Sequence, residues 1–164
     1  MAEEEKISGL EELRKEYGVF REKYDLPEFS DMNKAFDIEE IDSDTEFLLR
    51  KIRRAVSERV AGYLRFVEVI LNPSNAPMFF FKLIKKLGEE DKKQLTEIHE
   101  DLGKFELEVI KLDLNYDEEK EVEFIKKIYD VFNEKVSKKL LDVAEKMGNG
   151  VGKEKKVESE SYFG

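Results

Sequence analysis

Apolar residues recur at three- and four-residue steps along most of this chain, the period of one face of an α-helix. Leu10, Leu13, Tyr17, Phe20 and Tyr24 predict a helix over residues 8–24. Ser8 and Glu11 stand at its start in the Ser-x-x-Glu arrangement of a capping box. Pro27 ends that run, and Phe29, Met32 and Phe36 make one face of a short helix. Ser43 and Glu46 repeat the capping box before Leu49, Ile52, Val56, Val60, Tyr63, Val67 and Ile70; Asn72-Pro73 stops this helix at Leu71. A short helix fits between Pro77 and Gly88. Leu95, Ile98, Leu102, Phe105, Val109 and Ile110/Leu112 predict a helix over 89–114. Val122, Ile125, Ile128/Tyr129, Phe132, Val136, Leu140 and Val143 predict another over 117–147, with Gly148 as its terminator.

Three helices of roughly 25 to 30 residues, each about 40 Å long at ~1.5 Å per residue, predict an all-α fold. With short links they form an antiparallel up-and-down bundle, with the N-terminal helix and short connecting helices added. Residues 1–147 then make a single domain, and the polar, glycine-bearing stretch 148–164 a flexible tail.

Composition supports this reading. Charged residues are 41% and hydrophobic residues 40% of the chain, with three Pro and nine Gly, which suits long amphipathic helices better than a turn-rich β-sandwich. There is no Cys, so neither a disulfide framework nor a thiolate metal site is expected. No apolar run approaches the ~20 residues of a membrane span, and the acidic start MAEEEK is unlike a secretory signal. The expected location is cytoplasmic. Abundant Lys and Glu with a single Gln, Gln94, match the usage of thermophiles.

Charge is unevenly spread. The chain has a net charge of −10, yet FLLRKIRRAVSERVAGYLRF at 47–66 holds five Arg and one Lys against one Glu. Residues 49–86 hold nine bases and two acids, a net of +7, which leaves −17 for the rest. On a helical wheel Arg50, Lys51, Arg54 and Arg65 fall opposite the apolar sector, with Arg53 at the edge of this basic stripe. Arg59 lies near the core positions and is expected to snorkel or to meet a carboxylate of another helix. Two partners suit the stripe: phosphates of a nucleic acid or an acidic protein surface, or the chain's own acids in DIEEIDSDTE at 37–46.

The most apolar stretch is Met78-Phe79-Phe80-Phe81, followed by Lys82, Lys85 and Lys86. Three consecutive Phe cannot share one helix face. In one arrangement Phe79 and Phe80 plug an end of the bundle while Phe81 rests on a neighbouring helix. In the other the segment is a partner-binding knob or a wedge for a membrane surface. The tail ends in Tyr162-Phe163. That pair is similar to the aromatic end of a sliding-clamp-binding peptide, but Lys156 stands where the motif has Gln and Ser159 where it has an aliphatic residue. A general docking role is the reading kept for it.

Catalytic chemistry finds little material. His99 is the only His and lacks the Glu-x-x-His spacing of a di-metal bundle. Without Cys or a second His, nucleophilic dyads are nearly excluded. GNGVGKE has Glu154 where a phosphate loop has Ser or Thr, and no strand precedes it. No catalytic, cofactor or metal residue is assigned. The sequence reads as a non-enzymatic adaptor or scaffold, monomeric or homodimeric, that binds a partner protein. It would use Phe79, Phe80, Phe81, the basic helix face and Tyr162-Phe163. The alternative is nucleic-acid association through Arg50, Lys51, Arg53, Arg54 and Arg65.

Overall fold

The computed structural model describes residues 1–42 and 46–161. Among these every regular element is helical, as the apolar spacing predicts.

Helix α1, Ala2–Tyr24, starts six residues before the capping box at Ser8. Glu3, Glu4 and Glu5 occupy its first turn, where carboxylates suit the positive end of the helix dipole, so the helix nucleates upstream. Asp25 closes it in a left-handed conformation (φ 54°), which the short Asp side chain tolerates. The Tyr17 hydroxyl donates to Pro27 O at 2.7 Å and pins the returning chain to α1. Helix α2, Phe29–Phe36, buries Met32 and Phe36, as their spacing requires, and ends on left-handed Asp37. Helix α3, Leu48–Leu71, ends where Asn72-Pro73 demands. It begins later than the Ser43 box suggests, because Phe47 sits in the left-handed region (φ 61°) and breaks the right-handed turn. Ser43 itself lies outside the described residues.

Helix α4, Met78–Ile84, is short. Helix α5, Glu89–Leu114, carries Glu89, Glu90 and Asp91 in its first turn. The Asp91 carboxylate accepts the Gly88 N–H at 3.1 Å. Helix α6, Glu118–Val131, is capped by the Asp117 side chain, which accepts the Lys120 N–H at 3.1 Å. A π-helical turn, Phe132–Val136, then leads into α7, Ser137–Ser161.

The turn has a cause in the sequence. Ile128, Phe132, Val136 and Leu140 are separated by three successive four-residue steps and all are buried. Each such step overshoots an α-helical turn by about 40°; the wider i→i+5 turn absorbs the drift. The terminator expected at Gly148 does not act, and α7 continues to Ser161. A helical Gly weakens a helix by only about 1 kcal/mol relative to Ala, and Lys and Glu, good helix formers, follow it.

The chain divides into two compact units, Met1–Gly62 with Lys104–Val131, and Tyr63–Gly103 with Phe132–Gly164. In the first, Leu13 and Tyr17 of α1, Ile52 and Val56 of α3, and Phe124 and Ile125 of α6 are fully buried. Each such side chain is worth roughly 1.5–3 kcal/mol. In the second, Val67, Leu95, Ile98, Val136 and Val143 form the core. Here Asp91 accepts from Lys139 Nζ at 2.7 Å and Lys146 Nζ at 2.8 Å. Those two bonds, with the Gly88 N–H, hold its carboxyl well below the usual range.

Gly62 and Gly103 lie inside α3 and α5, have no positive φ, and a methyl group at either would meet nothing within 4 Å. Gly62→Ala and Gly103→Ala should each raise stability by about 0.5–1 kcal/mol in urea unfolding; a loss would show that a helix needs glycine there. The depressed Asp91 carboxyl contributes fully above its unfolded pKa near pH 4 and less as pH falls toward its folded value. Asp91→Asn should flatten the fall in stability below about pH 4; an unchanged acid slope would remove Asp91 from that account.

Candidate functional site

The basic residues of α3 separate into distinct environments. Arg53 has no solvent exposure. Its Nε donates to Glu121 Oε2 at 2.6 Å and its Nη2 to Asp113 Oδ1 at 2.8 Å. Glu121 is equally buried, while Asp113 is about half exposed. Burial works against the Arg53 charge, but the bonds to Glu121 and Asp113 outweigh it and raise the pKa. Burial pushes the Glu121 carboxyl up against the pull of Arg53. The bond from Arg53 holds Asp113 down. Arg53 Nη1 and Glu121 Oε1 are buried without a hydrogen-bond partner.

Arg53 is therefore a correction to the basic stripe: it belongs to the core and cannot reach a partner. Arg59, expected beside the core, is the more exposed of the two and pairs with Asp37 at the end of α2. The two arginines flank the same apolar face. Which flank is covered is decided by Asp113 and Glu121, 60 and 68 residues away in the chain.

Arg50 is half-buried at the C-terminus of α5. Its Nη2 donates to Leu112 O at 3.4 Å, one of the last carbonyls that the helix leaves unpaired. Its guanidinium lies 5.0 Å from the Tyr116 ring centroid, a cation–π contact, and Phe47 meets that ring edge-on at 5.2 Å. Lys51, Arg54 and Arg59 line an open cleft of about 570 Å³ with Asp37, Glu40, Asp42 and Glu58. The acidic segment thus faces these bases across shared solvent. Arg65 is exposed and belongs to the other unit.

Helix α4 differs from the expected plug. Leu83 and Ile84 are buried and seat the helix. At 100° per residue Phe80 falls between them, and it is half-buried. Phe79 and Phe81 flank that arc and Met78 lies opposite it. Met78 is 77%, Phe79 59% and Phe81 38% exposed. The Lys85 ammonium lies 4.9 Å from the Phe81 ring centroid. Tyr162 and Phe163 lie outside the described residues.

A second apolar surface lies on α5, where Ile110 was expected on the buried face. Leu107, Ile110 and Leu114 on α5 are exposed, and their 3-4 spacing marks a second apolar edge behind the buried one. His99 is paired with Glu68 Oε1 at 3.2 Å. Among the described residues no cluster of three or more His, Cys, Asp or Glu could hold a metal ion, and no helix is long and apolar enough to cross a membrane. No family model, no curated protein and no solved structure matches the chain.

Removing one member of the buried pair strands the other charge. Arg53→Ala should cost about 3–5 kcal/mol in urea unfolding. Arg53→Met combined with Glu121→Leu should recover most of that loss, because an apolar pair leaves no buried charge. A cost under about 1 kcal/mol for Arg53→Ala would contradict the assignment.

Proposed function

We propose that this protein is a non-enzymatic helical adaptor that docks a partner protein through the aromatic segment Met78–Phe81. The exposure of Met78, Phe79 and Phe81 on one short helix carries the reading. Contiguous apolar surface of this kind marks interaction sites on soluble proteins, and aromatic side chains supply large contact areas at interfaces. The segment lies between α3 and α5 in the chain. Tyr162-Phe163 enters the proposal as a second docking element on sequence grounds alone.

The basic helix face contributes less to this reading than its composition suggests. Arg53 is buried, Arg50 is held at α5, and Arg59 is paired with Asp37. Lys51 and Arg54 share their cleft with four acids. Phosphate binding by the stripe would have to displace these contacts, so the nucleic-acid alternative loses support.

The test is photo-crosslinking in cells that make the protein, with a photoreactive phenylalanine analogue at position 79 or, as control, at exposed Leu141. A discrete adduct at position 79, lost on Phe81→Ser and absent at 141, is expected. Phe81→Ser removes partly buried apolar area and should cost about 1–2 kcal/mol; a cooperative urea transition in this variant separates lost docking from lost fold. No adduct at 79, or equal adducts at both positions, would overturn the proposal.

A further inference from the structure

We infer that the α4 surface takes an acidic, apolar peptide segment: carboxylates that meet Lys82 and Lys85, beside apolar anchors that cover Met78, Phe79 and Phe81. The inference rests on the docking role proposed for α4 and names the chemistry of what docks there.

Three observations point to negative charge. Residues 69–88 contain no acid and three lysines, a net of +3 in a chain of −10, so all other residues together carry −13. Several lysines elsewhere find carboxylates: Lys23 pairs with Glu118, Lys135 with Asp101, and Lys139 and Lys146 with Asp91. Among residues 1–42 and 46–149, whose side chains are described, no carboxylate pairs with Lys82 or Lys85, and the Lys85 ammonium lies over the Phe81 ring. That contact joins cation and aromatic ring into one surface. A group that covers Phe81 comes within reach of the Lys85 ammonium, and an acid there makes a charge-assisted hydrogen bond.

Electrostatics then supplies selection as well as attraction. A negatively charged segment is repelled by the −13 carried elsewhere and finds its positive surface at α4, which steers the encounter. The field acts over about 8 Å at physiological ionic strength, so only a ligand at α4 itself feels it. The apolar footprint is that of three side chains in a single turn. This is far below the ~800 Å² per partner of a standard protein interface, and a short peptide segment matches it. An anionic bilayer offers similar charge, but it is an extended negative plane that would also meet the acidic remainder of the chain.

The test is selection of a displayed random peptide library on the full-length protein, followed by fluorescence anisotropy of the enriched peptides. Enriched sequences should combine Asp or Glu with aromatic or aliphatic anchors. Their affinity should fall at least about tenfold, roughly 1.4 kcal/mol, on Phe79→Ser and on Lys82→Glu with Lys85→Glu. It should return on Lys82→Arg with Lys85→Arg, and weaken with salt. Peptides that need Phe79 but ignore the lysine reversal would overturn the acidic inference and leave the docking role standing. Enrichment of no peptide that needs Phe79 would overturn both. Phe79-dependent co-sedimentation with phosphatidylserine-containing vesicles, absent with phosphatidylcholine alone, would assign the surface to lipid and overturn the peptide inference.

Discussion

The buried guanidinium of Arg53 constrains the first unit more than any other group. A cation without solvent exposure must be matched, and here the match comes from Asp113 at the end of α5 and Glu121 near the start of α6. Both carboxylates flank the tight link between those helices. One α3 side chain thereby fixes the register of three elements at once. Buried ion pairs seldom add net stability over an apolar replacement; their effect is to make every other register leave a charge unpaired. Arg50 adds to the same corner by donating to Leu112 O and stacking on Tyr116.

The basic helix of an acidic protein is explained from this corner outward. Arg53 meets Glu121 and Asp113, Arg50 meets the carbonyl end of α5, Arg59 meets Asp37, and Lys51 and Arg54 share a cleft with Glu40 and Asp42. These contacts are with the chain's own acids and a backbone carbonyl, while Arg54 and Arg65 are exposed. The contrast is α4, where aromatic rings and lysines face solvent with no acid within the twenty residues 69–88. Within the positive region Arg53 is buried, while Met78, Phe79 and Phe81 are exposed.

Much of the fold was legible because helical spacing is local. The buried positions Leu49, Ile52, Val56, Val60, Val67 and Ile70 of α3 follow the wheel, and Asn72-Pro73 and Leu114 mark helix ends where they occur. What was not legible depends on distant residues. Arg53 and Arg59 flank the same face, and only the position of Glu121 and Asp113 decides which is buried. Phe79 and Phe81 look like core by hydropathy, but Leu83 and Ile84 take the seat of α4 with Phe80 half-buried between them, and Phe79 and Phe81 are left on its flanks. The left-handed Phe47 has no residue signal, since a Phe rarely adopts that conformation. The division into two units leaves no mark in composition, because α3 and α5 supply residues to both.

The most direct test of internal charge matching is the affinity of the wild-type protein for mixed-sequence RNA and DNA across about 50 to 200 mM salt. If the α3 bases are held by the chain's own carboxylates and carbonyls, no salt-dependent binding appears even at the low end. Micromolar binding that weakens with salt and disappears on Arg50→Glu with Arg54→Glu would show that the helix face is free for phosphates, and would contradict the account.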